Sequence, residues 1–213
     1  MGGQSQYNLT PNPGQPGQPL SNDRSTWGVR SVRAGVVIAP GVLCETYAAS
    51  DGTLLARPVQ DTGGTATATY NPAICGISLL DVFAAEESYQ VYAVPPSSTG
   101  SSFAGYPVGY SVPMMFRGGI WAAWDGNTGT ALPKNGPSSL GANINYWHSS
   151  TGANSQGVFT TQAVSSTAGA EIAEAPEYIQ VWDPFGKSGT YTDSFGNSVS
   201  IVALQINMVG AHG

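Results

Sequence analysis

From Arg33 onward the chain never runs far without a residue that breaks regular structure. The whole chain has 28 glycines and 15 prolines, and beyond Arg33 most of them punctuate short apolar or β-prone runs. Residues 34–39 and 42–47 are parted by Pro40-Gly41. Ser50-Asp51-Gly52 is a turn signal ahead of residues 54–59. Residues 73–83 are the longest apolar run and read as a central strand. Residues 89–94 alternate and stop at Pro95-Pro96. Residues 106–116 and 119–124 flank Arg117-Gly118, which reads as a hairpin turn. Residues 143–147 and 158–162 read as a hairpin joined by a long polar loop, and residues 178–182 and 199–209 complete the set. Residues 61–69 and 97–105 read as loops, and Asp125-Gly126-Asn127-Thr128-Gly129 as a turn. Only residues 168–175 hint at helix. Many short strands with Gly/Pro punctuation predict an all-β sandwich or barrel. No repeat of fixed period is present.

Composition points the same way. Charged residues are 9% of the chain, against roughly 25% in an ordinary globular protein. Helix surfaces draw on Glu, Lys and Arg, so their scarcity favours strands and turns. A hydrophobic content of 41% over 213 residues supports a sizeable core without disulfide or metal staples. The net charge is −6 with seven Lys and Arg. Phosphate binding needs clustered cations, so neither nucleic acid nor an anionic membrane surface is an expected partner. No apolar run approaches the length of a membrane-spanning helix. Met1-Gly2-Gly3-Gln4-Ser5 lacks the basic and apolar regions of a signal peptide, so synthesis and retention in a cytoplasm are expected. Cys44 and Cys75, the two cysteines, each sit in an apolar run, which predicts buried, reduced thiols.

Residues 1–26 differ from the rest. Pro11-Asn12-Pro13-Gly14-Gln15-Pro16-Gly17-Gln18-Pro19 can be neither helix nor central strand, because proline lacks a donor and fixes φ. The expected form is an extended, solvated arm preceding a single β domain over residues 27–213. Apolar residues bracket the tract: Tyr7 and Leu9 before it, Leu20 and Trp27 after it. Such beads suit an arm that docks on a partner and orders as it binds. On this reading, removing residues 2–20 leaves the domain's own melting unchanged.

The motifs of chemistry fail on inspection. Phe185-Gly186-Lys187-Ser188 ends like a phosphate-binding loop, but the glycine required at position 181 is Val181. Gly109-Tyr110-Ser111-Val112-Pro113 has proline where a nucleophile elbow needs glycine. The turn opening at Asp125 would need a calcium-binding glutamate at position 136, which is Gly136. Glu86 and Glu87 are adjacent, so on a strand they face opposite sides. His148 and His212 have no nucleophile or metal ligand beside them in sequence and read as surface histidines. No catalytic residues, no metal ligands and no cofactor are expected, and the chain reads as a non-enzyme. Trp121 and Trp124, three apart, are expected on opposite faces of a strand.

The order of segments resembles the head-decoration (structural cement) proteins of tailed bacteriophages. The resemblance rests on Arg33-Ala34-Gly35-Val36-Val37-Ile38-Ala39-Pro40-Gly41-Val42-Leu43, then the strand-turn-strand of residues 46–59 and Cys75-Gly76-Ile77-Ser78-Leu79. Tyr106-Pro107-Val108-Gly109-Tyr110-Ser111-Val112-Pro113-Met114-Met115 follows, leading into Gly118-Gly119-Ile120-Trp121-Ala122-Ala123-Trp124. The later half adds Asn145-Tyr146-Trp147 with Gly157-Val158-Phe159-Thr160-Thr161, and a final strand at residues 201–208. The resemblance implies a β-tulip or jelly-roll-like fold on the outer surface of a virion capsid, assembled in the host cytoplasm. It implies the major capsid protein as partner and a homotrimer bridging subunit seams. Tyr7, Leu9, Leu20 and Trp27 then become the capsid-binding beads of the arm. Two alternatives stay open: another virion component, such as a head fibre base or tail ornament, and a carbohydrate-binding β-sandwich using exposed tryptophans.

Overall fold

The computed structural model describes residues 14–20, 27–60, 73–80, 105–126, 144–148, 156–167, 171–182, 188–192 and 198–208. Among these there is no helix, and the all-β prediction holds. The strands are β1 (Gly28–Arg33), β2 (Leu43–Ala48), β3 (Leu54–Pro58), β4 (Ile74–Ser78), β5 (Ser111–Trp124), β6 (Asn145–Trp147), β7 (Phe159–Thr160), β8 (Ile172–Glu174), β9 (Ile179–Val181), β10 (Ser188–Thr192) and β11 (Ser198–Asn207). They form one mixed sheet of 11 strands.

β5 organises this sheet. Its first half pairs with β1 and with β4, and its second half with β11 and, in parallel, with β7. β4 continues to β2 and β2 to β3. A parallel bridge from Ala34 to Ala56 joins the end of β1 back to β3. The ring β1–β5–β4–β2–β3 therefore closes into a small barrel, which removes the open edges of its strands.

Strand alternation sorts side chains between two main cores. The barrel interior holds Ala34, Ile38, Val42, Cys44, Ala56, Cys75, Tyr106, Val112 and Met114. Leu43, Ile74, Ile77 and Met115 lie on the same strands but point outward. They meet Ile144, Tyr146, Phe159, Ala173, Ile179, Val181, Val202, Leu204 and Ile206 from β6 to β11 in a larger core. A third, small cluster of Trp121, Ile201 and Ala203 covers the far face of the β5–β11 pair.

β5 serves both cores because it breaks step in the middle. Before the break, even-numbered Val112 and Met114 face the barrel interior. After it, odd-numbered Ala123 joins that cluster, while Ile120, Ala122 and Trp124 join Met115 in the larger core. Gly118 sits at the break with φ of 127°, a value only glycine adopts without strain. The register with β1 shifts at Gly28/Val29, opposite Arg117 and Met115, as a bulge requires.

Several expectations are met. Residues 49–53 form the turn between β2 and β3, with Thr53 N–H donating to Asp51 Oδ1 at 2.9 Å. That hydrogen bond and the one from the Thr53 side chain hold the Asp51 carboxyl below its usual range. β6 and β7 pair as the predicted hairpin strands, and β9 and β11 lie where they were placed. Trp121 and Trp124 do face opposite sides, and both are buried.

Others are corrected. Arg117-Gly118 is not a hairpin turn, because β5 runs through it as one strand of 14 residues. The glycines there serve a bend and a close contact, which in sequence resemble a reversal. The hinted helix at residues 168–175 contains β8, whose Ile172 and Ala173 are drawn into the larger core. Residues 34–39 are not a strand and touch their neighbours through isolated bridges at Ala34 and Ile38. β1 and β10 were not foreseen. The expectations at residues 61–69, 89–94 and 127–129 lie outside the described residues, as does nearly all of the loop at 97–105.

Candidate interaction surfaces

The arm's described part is residues 14–20, and it is not detached from the β domain. Gly17 N–H donates to Trp121 O at 2.7 Å, Trp121 N–H to Gln18 O at 2.9 Å, and Leu20 N–H to Gly119 O at 2.9 Å. On its other side Gly17 O accepts from Leu80 N–H at 2.9 Å. Since Trp121 uses both of its own backbone groups here, this segment lies on the β5 edge opposite β11. Pro16 and Pro19 lack donors, yet none is needed from them, because Gly17 and Leu20 supply the donors. A proline-rich tract is tolerated on such terms at a sheet edge.

The fit is close on every side. Gly17 has φ of 79°, and a Cβ there would stand 2.5 Å from Leu80 N. A Cβ on Gly41 would stand 2.9 Å from Gly17 N and 3.0 Å from Pro16 Cβ. One on Gly119 would stand 3.0 Å from Leu20 Cδ1, and one on Gly14 would run into the Trp121 indole. The slot is built from backbone and glycine, leaving space for a chain and little else.

Leu20 is half-buried and packs on the Trp121, Ile201 and Ala203 cluster beside Tyr191. Trp27 is half-buried against the larger core. Both therefore rest on this chain's own cores, and they lie in different clusters. Tyr7 and Leu9 are outside the described residues.

A second surface escaped the sequence reading. Residues 34–38 and 105–110 run side by side. Ala34 N–H donates to Tyr110 O at 2.8 Å, Gly109 N–H to Ala34 O at 2.8 Å, and Ile38 and Tyr106 exchange bonds at 3.1 and 2.7 Å. This pair carries Val36, Val37, Val108 and Tyr110, exposed by 38, 53, 61 and 46%. Ala34, Ile38 and Tyr106 from the same segments are buried in the barrel, so the platform is anchored. Arg33 stands at its margin, with Nε donating to Gly109 O at 3.2 Å. A usable signal was present: in an unbroken apolar run such as Ala34 to Ala39, a one-sided sheet cannot bury every side chain.

The buried polar groups serve the fold. Glu45 is 2% exposed and accepts from Arg57 Nε at 2.8 Å. The Arg57 guanidinium also lies over the Tyr47 ring, 4.4 Å from its centroid. Cys44 and Cys75 are free and buried, as expected. Burial pushes the Cys75 thiol up to about 12. Burial raises Cys44 well above the usual thiol value too, with the neighbouring Cys75 adding to the shift. His148, expected at the surface, is fully buried next to Tyr146, with ring centroids 6.2 Å apart. Its backbone N–H donates to Glu171 O at 3.2 Å, which draws it into the β6–β8 pairing. Of the tryptophans, only Trp182 reaches 37% exposure. Trp147 Nε1 donates to Asp125 Oδ2 at 3.0 Å, tying the end of β5 to β6.

Among the described residues no group of three or more His, Cys, Asp or Glu could hold a metal ion. No helix among them is long and apolar enough to cross a membrane. No family model matches this sequence, and no curated protein matches it either.

Proposed function

We propose that this protein is a capsid-decoration protein, binding the outer surface of a phage head across subunit seams and stabilising it without chemistry. The observation that carries this reading is the platform of Val36, Val37, Val108 and Tyr110 on a backbone-paired, core-anchored base. Four exposed apolar side chains carried on two backbone-paired segments suit a protein partner better than water. An exposed tyrosine with an arginine at the margin adds residue types that interfaces favour. The low charge of the whole chain fits close apposition to other β-rich subunits. The partners on this reading are the major capsid protein and further copies of this chain, arranged as a trimer. Each copy then contributes a modest contact, and joint attachment multiplies the effect.

Co-sedimentation with undecorated phage heads tests it. The wild-type chain pellets with the heads. Val37→Asp and Val108→Asp, both at exposed positions, bind at least tenfold more weakly while melting like the wild type. A tenfold loss corresponds to about 1.4 kcal/mol, a modest demand on an interface anchor. Equal binding by the double variant would remove the platform from the account, and no binding by the wild type would remove the function.

A further inference from the structure

We propose that Arg30 is a receptor for a carboxylate, and that its occupant is an aspartate or glutamate side chain of the protein this chain binds. The inference rests on the reading of the chain as a protein-binding molecule, and it adds a charge-specific contact apart from the apolar platform.

Arg30, on β1, is held from several elements. Its Nε donates to Cys75 O of β4 at 2.8 Å, and Nη2 to Met208 Sδ, just beyond β11, at 3.9 Å. Its Cζ lies 5.3 Å from the centroid of the Phe116 ring of β5. Gly28 makes room for that ring, since a Cβ there would stand 2.6 Å from Phe116 Cε2. Met208 N–H donates to Phe116 O at 2.9 Å and Asn207 N–H to Tyr178 O at 2.8 Å, so the surrounding backbone is pinned as well. Burial raises the Tyr178 phenol, and the Arg30 charge works against that rise, which puts the phenol within the guanidinium's field.

The other described arginines show what Arg30 lacks. Arg57 is stacked in the same way, 4.4 Å from the Tyr47 centroid, and Glu45 across the ladder supplies a carboxylate at 2.8 Å. Arg33 and Arg117 are exposed, so water serves their charge. Arg30 is half-buried beside aromatic and thioether groups, yet among the described residues no carboxylate pairs with it. A charge drawn partly out of water gains most from an opposite charge. Of a guanidinium's five N–H donors, two are engaged here. Stacking covers a face of the group and leaves its remaining N–H edge open to a planar carboxylate. Arg30 with Phe116 thus repeats the Arg57 and Tyr47 arrangement with the acid left for another molecule to bring.

A protein carboxylate suits the place better than an acidic sugar. The Phe116 face that could stack a sugar ring already carries the guanidinium, and the Met208 thioether offers no donor to a hydroxyl. Arginine among aromatic and methionine side chains is what the cores of protein interfaces favour.

The test uses the full chain and follows the Arg30 Nε–H resonance and the Tyr178 ring by NMR. N-acetylglutamate α-amide is titrated at constant ionic strength, beside N-acetylglutamine α-amide, which has the same shape without the charge. Saturating shifts at both reporters are expected with the first and none with the second. Arg30→Lys keeps the charge, loses the fork and should abolish them. No saturation of the wild type by the carboxylate overturns the inference, and so does tighter saturation by inorganic phosphate or glucuronate. Co-sedimentation then separates this inference from the functional proposal. Arg30→Lys that melts like the wild type should bind undecorated heads about tenfold more weakly, the loss expected for one charge-assisted pair. Head binding unaltered by that variant removes a capsid carboxylate as the occupant and overturns the assignment. Saturation by the glutamate probe in a chain that ignores phage heads would sink the functional proposal and leave the Arg30 site standing for another protein partner. Should Arg30→Lys fold poorly, the wild-type titration decides alone.

Discussion

The two halves of β5 are held in different ways. The first half is flanked by β1 and β4, two antiparallel neighbours. The second half has β11 on one edge, but on the other it has residues 14–20, Gly41 and the short β7. One edge is thus sealed by a Pro/Gly tract that no strand propensity would select. The difference shows that a segment unfit to make a ladder alone can still complete one, when a preformed edge asks for donors at only a few positions.

The largest expected effect breaks the second half. Removing residues 2–20 strips partners from several buried backbone groups, each worth about 1–3 kcal/mol when left dry, and uncovers Trp121. A loss of about 4–6 kcal/mol is expected in denaturant titration. Unchanged melting would return residues 2–20 to the detached, partner-docking arm that the sequence alone suggests. Met115→Ala strikes the first half, where the side chain is fully buried in the larger core. It should cost about 3 kcal/mol, or roughly 6–12 °C of Tm for a chain of this size, with residues 14–20 still docked.

The thiols report on the barrel that the first half helps to close. Both folded values lie above the ordinary thiol range, so the folded state retains protons that the unfolded chain gives up. Their stabilising effect is complete below the unfolded thiol value and is lost as pH climbs toward about 12. Stability should decline from about pH 9 upward, less steeply in Cys44→Ala/Cys75→Ala. Iodoacetamide at pH 8 should label neither thiol in the folded protein and both after unfolding. The smallest effect is a control remote from both halves. Gly52 has φ of 81° and open space where a Cβ would go, so Gly52→Ala should cost about 1 kcal/mol from backbone strain alone. Gly17→Ala, at a similar φ but with no room, should cost more.

Much of the strand pattern was legible because period-2 alternation and turn residues act locally. The Ser50-Asp51-Gly52 turn, the β6–β7 pairing and the opposed faces of Trp121 and Trp124 all follow from such rules. What misled was the double use of glycine. Arg117-Gly118 looks like a reversal, but Gly118 provides a bend and Gly119 an approach for Leu20, and that partner lies about a hundred positions away in sequence. The buried His148 and the Glu45–Arg57 pair were hidden for the same reason, since tertiary neighbours decide them. The slot for residues 14–20 had no local signature. The Val36, Val37, Val108 and Tyr110 platform was half visible, as apolar runs too continuous for a one-sided sheet.

Particle stability tests the functional claim most directly. Phage heads prepared without this protein are challenged by heat or osmotic shock, then challenged again after the purified chain is added back. The account predicts a higher disruption temperature on add-back, saturating at a fixed number of copies per head. It also predicts that the gain is lost with Val37→Asp/Val108→Asp. Heads equally robust with and without the protein, under conditions where it is shown to be folded, would contradict it.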